Sequence, residues 1–153
     1  MIRAGTPAAR ALADVAAAMR DARHDWWIIG SAAVALLGGD TPLADIDLLI
    51  DPRDGHALLA RLKVAPLAPD RDARFRSATF ARWTGSWMPV EIMADLYVGH
   101  DGGWQRVAPT TRQPVPVGGE TVYVPERWEM IALLHRFGRP KDLQRARLLV
   151  MRP

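Results

Sequence analysis

Cysteine is absent from the 153 residues, which excludes a disulfide framework, a thiol nucleophile and a thiolate metal centre. Lysine is almost absent. Of the twenty basic residues only Lys63 and Lys141 are lysines, and the arginines are scattered, so no basic run exceeds two residues. A net charge of +3 spread in this way reads as a solvated surface rather than the basic stripe of a nucleic-acid binder. No apolar run approaches the ~20 residues of a membrane span. Residues 8–22 carry Arg10, Asp14, Arg20 and Asp21, so they form no leader-like apolar core. The expected location is the cytoplasm, with no membrane partner. What remains, 49% hydrophobic and 24% charged residues, is ordinary globular composition. The length suits one domain over residues 1–153 with a real core.

Recognised catalytic signatures are missing as well. There is no Gly-x-Ser-x-Gly elbow, no Gly-x-x-x-x-Gly-Lys-Ser/Thr loop and no Rossmann fingerprint, which removes the common hydrolase and P-loop readings. His24, His56, His100 and His135 show no zinc-type spacing. The six tryptophans read as core and rim rather than as a base-stacking platform.

The periodicity present is that of an α/β chain. Thr6 and Pro7 open a helix over residues 7–23, with Leu12, Val15, Ala16 and Met19 at helical spacing. A buried strand over 26–29 runs into Gly30-Ser31, followed by a helix over 32–37 that stops at Gly38-Gly39. A strand over 44–50, a helix over 52–62 and a loop over 65–72 follow. Strands over 74–83 and 88–98 join across Thr84-Gly85-Ser86. Short strands over 115–117 and 121–124 flank a Gly118-Gly119 hairpin turn. Helices end the chain: Pro125 opens one that runs to Phe137, Gly138 and Pro140 break it, and a last helix covers 142–151. The fold class expected is α/β, a mixed sheet flanked by helices with a helical C-terminal end.

Within this frame Asp45-Ile46-Asp47 stands out. Strand alternation puts Ile46, Leu48 and Ile50 on one face and both carboxylates on the other. Two such groups in an apolar strand repel one another, and one is pushed towards protonation. A divalent cation removes the conflict, and oxygen ligands suit Mg²⁺. The same spacing in Asp70-Arg71-Asp72 falls in a polar, proline-containing loop and needs no such explanation. A third acid is expected from a neighbouring strand. In Val90-Glu91-Ile92-Met93-Ala94-Asp95 alternation puts Glu91, Met93 and Asp95 on one face; Glu91 is favoured, and Asp95 competes as the more easily solvated choice. Glu120, Glu126 and Glu129 fall in a turn and in exposed helical positions. Gly30-Ser31, between strand and helix, permits close backbone approach to a phosphate, while the serine hydroxyl equally suits a helix cap.

An apolar run, Gly-Ser, a short helix and Asp-x-Asp together resemble the nucleotidyltransferase superfamily typified by DNA polymerase β, in particular its small stand-alone bacterial members. The resemblance spans most of residues 26–142. It implies that Gly30 and Ser31 hold a nucleoside triphosphate, and that Asp45, Asp47 and Glu91 are catalytic and bind two Mg²⁺ (or Mn²⁺) ions. It also implies transfer of an NMP to an acceptor hydroxyl with release of pyrophosphate. The C-terminal stretch with Arg139-Pro140-Lys141-Asp142 resembles the helical end of small members, so Arg139 and Lys141 are expected at the nucleotide. Leu134-His135 stands about where such members carry a lysine; His135, Arg136 or Arg139 can substitute. The acceptor is left open among a small molecule, a tRNA and a protein, the last two in the manner of toxin–antitoxin transferases. A partner protein or a homodimer would complete so small a site. A non-catalytic domain that binds nucleotide or a partner is the alternative from another class.

Overall fold

The computed structural model describes residues 2–68 and 74–151; the Asp70–Asp72 pair and part of the expected 65–72 loop lie outside them. Helix α1 covers Pro7–Ala18. Its first turn is capped by Thr6, whose hydroxyl oxygen accepts the Ala9 N–H at 3.2 Å, with Pro7 where a missing donor costs nothing. The helix stops five residues before the expected end. Asp54 accepts the backbone N–H groups of Arg23 and His24, each at 3.1 Å, and so holds the following segment in a non-helical course towards the sheet.

Strand β1 is Trp27–Ile29, α2 is Gly30–Leu36, β2 is Ile46–Ile50 and α3 is Pro52–Leu62. Strands β3 (Phe75–Trp83) and β4 (Val90–His100) pair antiparallel. Their connection is six residues, 84–89, longer than the expected tripeptide because pairing starts only at Trp83 opposite Val90. Strand β5, Gly103–Arg106, was not expected. It folds back on β4 with His100 opposite Gly103, leaving Asp101-Gly102 as the turn and Gly102 at φ 86°. An Asp-Gly pair is a strong hairpin signal, and Asp101-Gly102 carries it here.

Strands β6 (Gln113–Val117) and β7 (Glu120–Val124) form a separate hairpin. Gly118 and Gly119 both have positive φ, as a two-residue turn of this hand requires. Helix α4 is Arg127–Phe137 and α5 is Pro140–Val150. Pro140 therefore starts α5 rather than merely ending α4, because a proline is tolerated in a first helical turn.

The main sheet runs β1-β2-β4-β3, with β5 continuing along β4. It is mixed: β1 and β2 are antiparallel, β2 and β4 parallel. Helix α1 packs on β7 and α3, α2 on β1 and β2, and α4 and α5 on each other and on α2. The core threads through all of these elements, with Leu12, Ile28, Ile46, Leu48, Ile92, Met130 and Leu134 fully buried; each such side chain contributes about 1.5–3 kcal/mol. No helix among the described residues is long and apolar enough to cross a membrane.

Candidate active site

Three carboxylates meet at one end of β2. The strand begins one residue after Asp45, where the Ile46 N–H donates to the Pro89 carbonyl at 2.9 Å. Asp45 thus stands at the mouth of the sheet rather than within it. Asp47 lies directly across from Glu91 in the parallel β2–β4 pair. Asp45, Asp47 and Glu91 each present an oxygen within 4.8 Å of the others. The sequence could not fix this pairing, because nothing in it states that β2 and β4 are neighbours.

Asp95, the competing third acid, is elsewhere. Its backbone is left-handed, φ 51°, which interrupts the alternation expected along β4. Leu96 rather than Asp95 joins Glu91 and Met93 on the walls of the cavity beside the acids, and Asp95 faces another hollow with Leu49 and Asp51. There it accepts a hydrogen bond from Arg106 at 3.1 Å. The break falls between the residues of β4 that pair with β2, up to Ala94, and those that pair with β5, from Tyr97.

The electrostatics of the trio are unfavourable by themselves. Burial, then the charges of Asp45 and Glu91, push the Asp47 carboxyl up to about 7, against the opposing effect of Arg139 and Arg145. Burial and Asp45 also raise Glu91, while Arg82, a hydrogen bond with Asp47, and Lys141 oppose the rise. Arg82 reaches Glu91 at 3.3 Å. Without a cation Asp47 holds, near neutral pH, part of a proton that an isolated carboxylate would release. An all-oxygen, partly buried and mutually repelling donor set is the kind that fits Mg²⁺ or Mn²⁺.

Gly30 abuts this cluster from β1. It has φ 67°, and a Cβ there would collide with the Asp47 carboxylate oxygen and stand 3.3 Å from its Cγ. Glycine is required twice over, by the backbone and by the acid beside it. Helix α2 starts at Gly30 itself, and its N-cap is Ile29, which offers no side-chain cap. Ser31 is therefore inside the helix and buried at 6% exposure, so its hydroxyl does not serve as the cap that the sequence equally allowed.

From the C-terminal side, Arg139 lines the cavity next to Asp47 and Glu91. Asp142 holds it: Arg139 Nε and Nη2 donate to the two carboxylate oxygens at 2.6 and 3.0 Å. Asp142 is 1% exposed, so the fork is fixed in place. The role of Asp142 was missed, although its position three residues after the Arg139 N-cap is capping-box spacing. Lys141 is exposed on α5, close enough to Glu91 to act on its charge. Of the expected lysine substitutes, Arg136 is engaged by Gln105 and the Arg106 carbonyl, and His135 is exposed on α4. Leu134 belongs to the core. Arg139 is the one that reaches the site.

Residues 11–99 match the family described as aminoglycoside-2''-adenylyltransferase. No curated protein sequence matches the chain. Among solved structures, a nucleotidyltransferase-type protein from Thermotoga maritima is similar at 22% identity, with 90% of this chain and 88% of that one covered and a TM-score of 0.69. The lincosamide antibiotic adenylyltransferase LnuA, bound to lincomycin, is similar at 12% identity, with 83% and 86% covered and a TM-score of 0.52. ANT(2'')-Ia in complex with adenylyl-2''-tobramycin is similar at 14% identity, with 87% and 82% covered and a TM-score of 0.52. These likenesses show the fold, and the family match covers more than half of the chain. The chain belongs to the aminoglycoside-2''-adenylyltransferase family and is a nucleotidyltransferase.

Proposed function

We propose that this protein transfers an adenylyl group from ATP to an acceptor hydroxyl with divalent-metal help, and that Asp45, Asp47 and Glu91 hold the metal. The observation that carries the reading is the convergence of three carboxylates within 4.8 Å, at a place where Gly30 has room for no side chain. The acceptor oxygen forms a bond to the α-phosphorus, the bond to the β-phosphate oxygen breaks, and pyrophosphate leaves with those electrons; the hydroxyl proton is released. Bound Mg²⁺ or Mn²⁺ would lower the pKa of the acceptor hydroxyl and neutralise the triphosphate.

The chain's own residues do the rest. Asp47 and Glu91, on adjacent strands, keep their carboxylates in fixed register. Gly30 lets the backbone come close to the triphosphate, and Ser31 offers a hydroxyl beside it. Arg139, pinned by Asp142, directs a planar cation at the phosphates, and Lys141 adds an outer positive charge. Positioning and charge stabilisation of this kind require no covalent enzyme intermediate.

Calorimetry with a non-hydrolysable ATP analogue tests the reading. Binding should require Mg²⁺ and should be lost in Asp47→Asn. Equal affinity in Mg²⁺ and in excess chelator would defeat it.

A further inference from the structure

The cavity that begins at the carboxylates continues away from them, and its far walls differ in chemistry from the acidic end. It measures about 240 Å³. Ile29, Gly30, Asp47 and Glu91 line one end of it; beyond them the lining is mostly apolar, with Phe75 and Phe80 from β3, Met93 and Leu96 from β4, and Phe137 from α4, beside the hydroxyl of Ser77. The cations on it are Arg76 and Arg139, and no further acid lines it among the described residues. Arg139 belongs to the phosphate end of the cavity and is forked by Asp142. Arg76 is not: its guanidinium lies 3.9 Å from the centre of the Trp104 ring, and no carboxylate among the described residues pairs with it.

Sheet order assigns the two ends. Gly30 follows β1, the acids stand on the central strands, and Phe75, Arg76 and Phe80 belong to β3 at the opposite edge. In an in-line displacement the entering and leaving oxygens lie on opposite sides of the phosphorus. With the leaving pyrophosphate at Gly30 and Ser31, the acceptor enters from the β3 side, which is the apolar end.

We propose that the acceptor is a small hydroxyl compound with a flat apolar body and a negatively charged group facing Arg76, and that polycationic acceptors are excluded. The inference rests on the nucleotidyl-transfer reading above. It separates this chain from a relative that carries tobramycin, an aminoglycoside with several ammonium groups, which would here meet Arg76 and aromatic walls with no acid among the described residues beyond Asp47 and Glu91 to pair with.

The test uses 6-hydroxynaphthalene-2-sulfonate, uncharged 2-naphthol and tobramycin as probes. Each is titrated into the full protein saturated with Mg²⁺ and the ATP analogue, with fluorescence or calorimetry as readout. The sulfonate should bind about tenfold or more tightly than 2-naphthol, as expected for a charged group meeting a cation. Arg76→Gln should erase that difference, and Arg76→Glu should reverse it. Tobramycin should displace neither probe. Three results would overturn the proposal: displacement of the sulfonate by tobramycin, sulfonate binding to the nucleotide-free protein that is lost when the Mg²⁺–nucleotide is added (which makes the cavity a base site), or a sulfonate preference that survives both Arg76 variants. Binding of the Mg²⁺–nucleotide is measured separately on the wild-type protein. Its absence would defeat the transfer reading while leaving the cavity's preference for the sulfonate readable.

Discussion

Two groups of half-buried carboxylates in this molecule are treated in opposite ways. Glu129 on α4 accepts from the N–H and hydroxyl groups of both Thr110 and Thr111. Burial would raise its pKa, but these four donors overcome it and hold the carboxyl below its ordinary value. Asp47 and Glu91 are half-buried beside further acids, and both are raised. Glu129 is met by four donors; Asp47 and Glu91 face one another and Asp45, with Arg82 donating to Glu91 from outside the trio. The contrast supports the proposal that the second cluster takes up a cation from outside the chain. Glu129 stands in the first turn of α4, as the sequence reading expects, but is half-buried rather than exposed, its partners coming from the loop that precedes the helix.

The sharpest break of this contrast is to neutralise one acid of each kind. Asp47→Asn should lower adenylyl transfer by about a thousandfold or more, since it removes a shared metal ligand. Its melting temperature in chelator should equal or exceed that of the wild type, because a repelling charge is gone. Stabilisation by Mg²⁺, which grows as RT ln(1 + [L]/Kd), should vanish. A variant that melts lower than the wild type with and without Mg²⁺ would mark Asp47 as a brace like Glu129.

Glu129→Ala should do the reverse. It orphans two backbone amides and two hydroxyls, at a cost of about 2–3 kcal/mol, equally in Mg²⁺ and in chelator. A denaturant melt showing a loss of under about 0.5 kcal/mol would reduce those hydrogen bonds to bystanders.

The two groups should also titrate with opposite signs. Asp47 has a folded pKa of about 7, above its ordinary value near 4, so the native state holds a proton that the unfolded chain has lost. In chelator its contribution to stability should therefore fall as pH rises from about 4 to 7, by on the order of a few kcal/mol. Glu129, with a lowered folded pKa, contributes stability that is present above its unfolded pKa and lost as pH falls through the folded one. Melts from pH 4 to 8 on wild type and Asp47→Asn isolate the first effect: the difference between them should grow with pH and should shrink when Mg²⁺ is added. A constant difference would show that Asp47 does not titrate in that window.

The smallest expected effect is at Ser31. Ser31→Ala should weaken Mg²⁺–nucleotide binding by about 1 kcal/mol, or roughly fivefold, with little change in melting temperature because Ser31 is not the helix cap. Calorimetry returning unchanged affinity would take the hydroxyl out of the phosphate site.

What could be read in the sequence was whatever local pattern encodes. Asp45 and Asp47 stood out by their apolar neighbours, Gly118-Gly119 by turn chemistry, and α1 by its cap and period. What could not be read were tertiary decisions. The helix over 7–23 was overextended because Asp54, thirty residues later, captures the amides of Arg23 and His24. Glu91 was preferred to Asp95 on grounds of burial, whereas in the fold the two are separated by a left-handed residue that no alternation rule anticipates. Strand β5 is the exception, since its Asp-Gly turn was in plain view. The apolar cavity draws on β3, β4 and α4 together, and no single segment announces it.

The direct pairing of Asp47 with Glu91 also makes the sheet a ruler. Adjacent strands lie ~4.8 Å apart, a spacing set by backbone hydrogen bonds rather than by side-chain choice, so the gap between these two acids is a fixed gauge. Neighbouring strands cannot be eased apart by fractions of an ångström without breaking the ladder that joins them. On the proposed reading, adaptation to a different acceptor works through the other jaw of the cleft, where Phe137 arrives on the α4–α5 corner, and through β3, whose outer edge pairs with no other strand of the sheet among the described residues. The molecule divides into a calibrated part that sets the chemistry and an adjustable part that chooses what the chemistry is done to.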